Sequence, residues 1–446
     1  MAERARRAAG WFFVTRSAAA PASTSSIEEP PEQRRTLAIL LLAQILSGLG
    51  LAAGITVSAL LAEEMLGSSR FSGLPTVFFT IGSAVAAVGV GNISQRLGRR
   101  VGLSAGYLAG ALGSVGVVVA ATVSNIVLLF ASMLVYGAGV STNLQARYAG
   151  ADLAAPSRRG RAVSIVLVAT AVGAIIGPNL VSVTGTLAIE VGIPPLAGPF
   201  LLAAAAYASA GLVLWLLLRP DPLLLARSIA AGPHRGRDGA AEPSVPTAAV
   251  RRSSHSGRTW SWAVASGAGI MILTQLIMVG IMTMTPIHIE HHGHSINVTG
   301  LVIGAHVAGM FLPSPFSGWL VDRLGYLPIA VAAGVILLAS GLLAAWAPVD
   351  SVAMLVVALV LLGLGWNLGL VSGTTLVTDA VPLATRARTQ GTVDLGIALA
   401  GAGAGLSSGL IITATSYATL TLLSGVLALL IIPIAAVARA TPTSQA

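Results

Sequence analysis

Long apolar stretches recur along this chain, and they constrain its fold more than any other feature. A bilayer core about 30 Å thick needs about 20 consecutive apolar residues in a helix to cross it. Six such stretches precede a long polar segment of the 446-residue chain and six follow it. We therefore expect an all-α membrane protein with twelve transmembrane helices, since helices satisfy their own backbone groups in lipid. Their predicted bounds are 36–61, 71–93, 101–121, 125–147, 162–187, 196–218, 260–287, 297–320, 327–346, 351–377, 389–412 and 416–438.

The composition fits a chain whose main solvent is lipid. Charged residues make up 9% of the chain and hydrophobic residues 55%, whereas a soluble protein carries about 25% charged residues. The chain has no cysteine, which excludes disulfides and thiolate metal ligands. A net charge of +9 indicates nucleic-acid binding only where it forms a basic face on a soluble domain. We expect the lipid bilayer as partner and no nucleic acid.

The basic residues predict the orientation. The chain has arginine but no lysine, and basic residues are retained in cytoplasmic loops. With the N-terminus placed inside, 24 of the 25 arginines fall on the cytoplasmic side and only Arg70 falls outside. A miscount by one helix would place these arginines on both sides of the membrane. We therefore predict a multi-pass protein of the cytoplasmic (inner) membrane with both termini in the cytoplasm.

Polar segments divide the chain. Residues 1–35 contain an apolar run too short for a signal peptide and are predicted to be a cytoplasmic tail. The segment 219–259 is rich in Pro, Gly, Ser and Arg, which is typical of a flexible cytoplasmic linker. It separates two six-helix halves, 36–218 and 260–438, and a short cytoplasmic tail follows at 439–446.

The two halves repeat each other at one offset. The segment Gly91–Gly98 aligns with Gly318–Gly325 at a shift of 227 residues, and Asp152 aligns with Asp379 at the same shift. Six helices lie between equivalent points, so both copies have the same orientation. Such parallel repeats form two lobes that rock around a central substrate site. The duplication therefore favours transport over simple anchoring.

The turn between the second and third predicted helices, with its copy in the second half, resembles the signature loop of the major facilitator superfamily. The resemblance covers nearly the whole chain through helix number, repeat and long central linker. It implies the major facilitator fold, with two six-helix bundles that open to one side at a time. The residues that carry it are Gly91, Gln95, Arg96, Gly98, Arg99 and Arg100 in the first copy and Gly318, Asp322, Arg323 and Gly325 in the second.

The resemblance implies a gate at the cytoplasmic helix ends. In the family, the arginine of this loop pairs with an acid that ends the fourth or tenth helix. Carried over, Arg96 would pair with Asp152, and Arg323 would pair with Asp379. The alternative is that these residues serve only topology and turn formation.

The acid of the same loop caps a helix of the opposite half in the family. Asp322 would accordingly face the start of the fifth helix near Arg161. The first copy departs from the family at Gln95, which accepts hydrogen bonds but brings no charge to a helix dipole. We therefore expect the latch of the first half to be the weaker one.

A second motif lies in the fifth predicted helix. Gly173, Gly177 and Pro178 look like the glycine-proline motif of the family's drug:proton antiporters. The glycines permit tight helix contact, and the proline bends the helix. Two features depart from that branch: the usual trailing glycines are missing, and Met133 stands where drug antiporters often place an arginine.

Asp394 is the clearest charged candidate at membrane depth, where a charge costs about 2.5–3.5 kcal/mol and marks function by default. We hypothesise that it binds a proton or a cationic substrate. The alternative is an ion pair with Arg386 or Arg388 at the cytoplasmic rim. His306 is a second candidate for proton exchange, with a buried neutral histidine bonded to a backbone carbonyl as the alternative.

Uncharged polar side chains supply further candidates for a substrate-binding wall. Helix–helix hydrogen bonding explains them equally well. They are Gln44, Asn143 and Gln145 in the first half and Gln275, Trp366 and Asn367 in the second. The histidine-rich stretch His288–His294 would suit a transition metal, but it is predicted to lie in an outer loop where polar residues are ordinary. We assign no metal site.

The sequence thus predicts a secondary active transporter that works by alternating access. By resemblance, it exports small hydrophobic or cationic compounds, is coupled to protons and functions as a monomer. The alternatives are a metabolite importer or a nickel- or cobalt-type exporter of the same fold. A receptor or embedded enzyme is less supported, because no catalytic constellation falls within one leaflet. No Gly-Lys-Ser/Thr phosphate loop occurs, so we expect neither ATP nor another cofactor.

Overall fold

The computed structural model describes residues 29–67, 74–232, 261–292, 296–348 and 351–440. Their regular structure is helical. The helices are α1 (Glu32–Leu66), α2 (Leu74–Leu97), α3 (Arg99–Thr122), α4 (Ile126–Ala151), α5 (Arg159–Asn179), α6 (Val181–Glu190), α7 (Gly198–Leu217), α8 (Pro222–Ala231), α9 (Trp262–His291), α10 (Ile296–Phe311), α11 (Ser314–Leu324), α12 (Tyr326–Trp346), α13 (Val352–Ala380), α14 (Arg386–Ala414), α15 (Tyr417–Ala428) and α16 (Ile431–Ala440).

Twelve segments of the described chain are long and apolar enough to cross a membrane, which confirms the predicted fold class. Three predicted spans each consist of two helices, namely α5 with α6, α10 with α11, and α15 with α16. Each break lies near a proline, which cannot donate a backbone hydrogen bond to the preceding turn. Pro178 precedes the first break, Pro313 lies in the second, and Pro433 follows the third.

Each half builds its own core. In the first half, α1 packs on α5 and α7, while α4 packs on α2 and α3. The second half repeats this arrangement, with α9 against α14 and α13 against α10 and α12. Tyr107, Tyr136, Phe200 and Tyr207 are fully buried in the first core and contact one another through their rings. Each lobe therefore has a core of its own, and Ala151, Val163 and Leu167 of the first half also pack into the core of the second.

The halves meet where α2 lies against α14 and α5 lies against α11. Both contacts bring backbones together through glycine. A Cβ at Gly391 would lie 2.4 Å from the carbonyl oxygen of Ala87, and a Cβ at Gly318 would lie 2.5 Å from that of Gly160. We call this end of the bundle, which carries residues 95–100, 147–161, 322–326 and 379–388, the arginine-rich end. It is the end predicted to be cytoplasmic.

The first part of the predicted flexible linker is an ordered helix. In α8, Asp221 caps the N-terminus through Leu223 N at 3.0 Å and Leu224 N at 3.1 Å. It also accepts a hydrogen bond from Arg100 N at 2.7 Å, which ties α8 to the start of α3. Composition indicated flexibility for 219–259, but this capping stabilises the segment. Residues 233–260 lie outside the described residues, as do Arg70, residues 1–28 of the N-terminal tail and 441–446 of the C-terminal tail.

Candidate functional site

A buried ion pair joins the two halves. The guanidinium of Arg147 on α4 donates from Nη2 to Asp394 Oδ1 on α14 at 2.8 Å. Tyr148 Oη donates to the same oxygen at 3.3 Å. Both charged side chains are at most 3% exposed. The alternative prediction, that Asp394 pairs with Arg386 or Arg388 at the rim, is therefore wrong.

The remaining donors of Arg147 are satisfied on both sides of the interface. Its Nε donates to Thr374 Oγ1 on α13 at 3.0 Å, and Nη1 donates to the carbonyl oxygen of Leu144. Arg147 and Thr374 are equivalent positions of the repeat, 227 residues apart. The pair therefore lies where the two lobes meet. Breaking a buried pair by removing one partner costs about 3–5 kcal/mol.

Sequence reasoning missed Arg147, because an arginine at the end of a predicted span was read as a topology signal. Its position was still informative. It lies five residues before Asp152, in a stretch with Asn143, Gln145 and Tyr148, and a helix with that many polar residues faces protein rather than lipid.

A second buried cluster lies about one helical turn from the first, where α4 ends and α14 begins. Arg99 Nε donates to Asp152 Oδ2 at 2.7 Å, and Arg99 Nη2 donates to Gln390 Oε1 on α14 at 2.5 Å. The predicted partner of Asp152, Arg96, is exposed. That pairing is wrong because α2 ends at Leu97, and Gly98, with φ +96°, turns the chain so that Arg99 points inward.

Two further ion pairs are related by the repeat. Arg159 at the start of α5 pairs with Asp379 at the end of α13. Its equivalent, Arg386 at the start of α14, lies 3.9 Å from Asp152. The predicted pairing of Arg323 with Asp379 is wrong. Arg323 is exposed and lies over the ring of Trp319 at 5.2 Å, because the turn at Gly325 (φ +85°) follows it directly.

The acid of the second loop lies where the resemblance implies. Asp322 accepts hydrogen bonds from Gly160 N at 2.7 Å and Arg161 N at 3.1 Å at the start of α5. Arg161 Nε lies 3.9 Å from the same carboxylate. We call this set of contacts the carboxylate latch.

Gln95 of the first half makes the equivalent contact to the second half, at the start of α14. Its Oε1 accepts from Ala387 N at 2.7 Å and Arg388 N at 3.3 Å. Its Nε2 donates to the carbonyl oxygens of Leu383 at 3.2 Å and Ala384 at 2.6 Å. We call this set the amide latch. Both latches join the two halves at the arginine-rich end.

Three amides of the first half form helix–helix contacts. Gln44 donates to the Asn143 carbonyl at 3.0 Å and to Thr170 Oγ1 at 2.9 Å, and Asn143 donates to Ser47 Oγ at 2.8 Å. Gln145 donates to the carbonyl of Ala87 at 2.7 Å. These side chains are buried. Their geometry matches the interpretation as packing contacts.

The candidate residues of the second half differ in their exposure. Asn367 is buried and donates to Met310 O at 2.7 Å and Ser314 Oγ at 2.6 Å. His306 is buried with Nδ1 2.9 Å from the carbonyl of Leu359, as in the alternative weighed for it. Gln275 is partly exposed, and its Oε1 accepts from Trp366 Nε1 at 2.8 Å.

The glycine-proline segment lies at a close contact between α1 and α5. A Cβ at Gly173 would lie 2.1 Å from the carbonyl oxygen of Ile45. Gly177 is buried, and α5 ends two residues after it, just past Pro178.

Part of the histidine-rich stretch falls outside the described side chains. The described rings of His288 and His292 lie 4.5 Å apart, and His288 stacks on Tyr417 at 4.1 Å. Within the described residues, no group of three His, Cys, Asp or Glu is placed to hold a metal.

Comparison with known proteins supports one family. The profile of the Major Facilitator Superfamily matches residues 40–295 and 268–446. The chain is 53% identical over 393 residues to the uncharacterized MFS-type transporter YdeG of Bacillus subtilis (strain 168), covering 88% of this chain and 89% of that protein. It is 30% identical over 361 residues to the riboflavin transporter RfnT of Brucella anthropi, covering 80% and 84%. Its fold is similar to that of the proton:xylose symporter XylE, with a TM-score of 0.69, 15% identity and coverage of 91% and 95%.

Proposed function

Because this chain belongs to the Major Facilitator Superfamily and is a secondary transporter of a small molecule, we propose that it works by alternating access coupled to protonation of Asp394. The observation that carries this proposal is the buried pair of Arg147 and Asp394 across the interface between the lobes.

Opening the arginine-rich end separates α4 from α14 and withdraws Arg147 from Asp394. An unpaired buried carboxylate is costly, and a proton on Asp394 removes that cost. Proton uptake therefore favours the open end, and proton release favours the closed pair. This links the proton to the conformation, as coupled transport requires.

The contacts between the lobes support an assignment of the conformational state. The hydrogen bonds and ion pairs between the lobes cluster at the arginine-rich end, which the arginine distribution assigns to the cytoplasm. We therefore assign this conformation to the outward-facing state. Both latches, the hydrogen bond from Arg99 to Gln390, and the pair of Arg159 with Asp379 form the gate that must open next.

Export of small hydrophobic or cationic compounds is the direction and substrate class that the antiporter-like segment supports. Gly173 lets α5 touch the backbone of α1, and α5 breaks just past Pro178. A second candidate rests on the relative RfnT, whose name assigns it riboflavin. It is transport of a neutral compound with fused heteroaromatic rings.

Inverted membrane vesicles with an acidic lumen test both candidates. We expect the wild-type protein to accumulate ethidium, or riboflavin for the second candidate, only while the pH gradient is maintained. Asp394→Asn is expected to lower that rate at least about tenfold and to abolish its pH dependence, because the neutral amide cannot exchange a proton. Glu63→Gln, which alters an exposed carboxylate of α1, is the matched control. Wild-type transport with unchanged pH dependence in Asp394→Asn would exclude the coupling role.

A further inference from the structure

One face of the second lobe continues from the buried pair toward the opposite end of the bundle. Arg147 contacts three helices of that lobe, at Met271 on α9, Thr374 on α13 and Asp394 on α14. These contacts mark which face of each helix points at the first lobe. Residues one or two helical turns away on the same faces line the space between the lobes.

Gln275, Trp366 and Gly401 occupy those positions. Gln275 follows Met271 by four residues, Trp366 precedes Thr374 by eight, and Gly401 follows Asp394 by seven. All three come together, because Trp366 bonds to Gln275 and a Cβ at Gly401 would lie 3.3 Å from Gln275 Nε2.

The indole fixes the orientation of the amide. Trp366 Nε1 donates to Gln275 Oε1 at 2.8 Å, so the acceptor side of the amide is occupied. The nitrogen consequently faces the glycine of α14. Gln275 is partly exposed, whereas Trp366 is 5% exposed. The indole therefore lies on the buried side of the amide and holds it from there.

Apolar side chains lie beside this amide and its indole partner. Phe311 packs edge-on against Trp366 at 5.8 Å and 71°, and Ile272 and Val279 flank Gln275 on α9. A site of this kind binds the apolar body of a ligand and orients it through one polar contact. A donor amide suits a carbonyl oxygen, which can lose water to bind there at far lower cost than a charged group.

We infer that Gln275 donates a hydrogen bond to a carbonyl oxygen of a neutral, largely apolar substrate, and that Trp366 is the residue that positions the amide. The inference rests on the proposed transport function and, of its two substrate classes, favours the neutral one over cationic compounds such as ethidium.

A matched pair of probes isolates the carbonyl. Fluorenone and fluorene share their ring system and differ in the carbonyl group. Binding to the wild-type protein in nanodiscs is measured for each, with empty nanodiscs correcting for partition into lipid. We expect fluorenone to bind about tenfold more tightly, as one well-oriented hydrogen bond provides.

Two variants test whether Gln275 and Trp366 cause the preference for fluorenone. Gln275→Leu is expected to bring the affinity ratio of the two probes to about one while fluorene still binds. Trp366→Phe, which keeps an aromatic ring but frees the amide to rotate, is expected to lower the ratio to about threefold. An unchanged ratio in either variant, or no preference or no binding in the wild-type protein, would overturn the inference.

Failure of this inference is distinguishable from failure of the proposed function. Probe binding in nanodiscs needs neither a pH gradient nor turnover, whereas the Asp394 experiment reads only gradient-driven transport. An intact binding ratio with no pH dependence would contradict coupling alone. A pH-driven transporter without the binding ratio would contradict the role of Gln275 alone.

Discussion

The two latches occupy equivalent positions of the repeat and bind the same kind of partner with different chemistry. The carboxylate latch accepts two backbone N–H groups and has a guanidinium 3.9 Å away. The amide latch accepts two backbone N–H groups and also donates to two carbonyl oxygens. The geometry of a repeat can thus persist while its electrostatics diverge.

The amide latch also has a neighbour with no counterpart at the carboxylate latch among the residues that the structure describes. Arg227 of α8 donates to the carbonyl oxygen of Gln95 at 3.0 Å and to that of Leu383 at 3.3 Å. It thus bonds to both lobes at once. The sequence predicted a weaker first latch from charge alone. The donations of Gln95 and the two hydrogen bonds of Arg227 are contacts that the argument from charge did not include, and the relative strength of the two latches stays a prediction.

Removing the carboxylate should have the largest effect. In Asp322→Ala, two charge-assisted hydrogen bonds to the start of α5 are lost, each worth about 1.5–3 kcal/mol. We expect the open fraction of the arginine-rich end to rise at least about tenfold. The chain has no cysteine, so Ser164→Cys, buried against Gly318, reports opening through its rate of alkylation.

The matched controls for that experiment are Arg96→Ala and Arg323→Ala. Both side chains are exposed and outside the latches, so alkylation should stay at the background rate. A rise in these controls equal to that of Asp322→Ala would show that the carboxylate has no special role in closure.

Giving the first latch the charge of the second should weaken it. Gln95→Glu keeps the length of the side chain but replaces its amide donor with an oxygen that faces the carbonyls of Leu383 and Ala384. We expect alkylation of the Ser164→Cys reporter to rise about fivefold, because two hydrogen bonds become repulsive contacts. Slower alkylation would mean that charge at the helix start dominates and that the amide latch is indeed the weaker one.

Removing the bridge should have the smallest effect. Arg227→Ala removes two bonds from a partly exposed guanidinium, and we expect about a twofold to threefold rise in alkylation. Combined with Gln95→Glu, the two changes should not add, since they act on the same contact. Additive effects would place Arg227 outside the amide latch. Arg227→Lys serves as the control that retains the charge.

The architecture could be predicted because its signals are long or repeated. Spans of about 20 residues, one-sided arginines and a shift of 227 residues are insensitive to local detail, and the twelve spans are confirmed. The contact of Asp322 followed from a short motif in which side chain and target lie at fixed positions. The roles assigned to the latches stay predictions.

The charge pairing depended on details that the pattern does not contain. Whether Arg96 or Arg99 meets Asp152 is decided by the backbone angle at one glycine, which redirects the chain within three residues. Arg147 was hidden because a buried arginine and a topological arginine look alike in sequence. Only the packing of α4 against α14 separates them.

The glycine contacts between Ala87 and Gly391 and between Gly160 and Gly318 have a mechanical consequence. Main-chain atoms of the two halves lie against each other at both points, and of the side chains only small ones such as Ser164 lie beside them, so little side-chain bulk separates the halves there. The lobes can therefore tilt as rigid bodies about these two contacts. A methyl group added to the glycine at either point, as in a substitution by alanine, would hold the two halves apart and keep this end from closing fully.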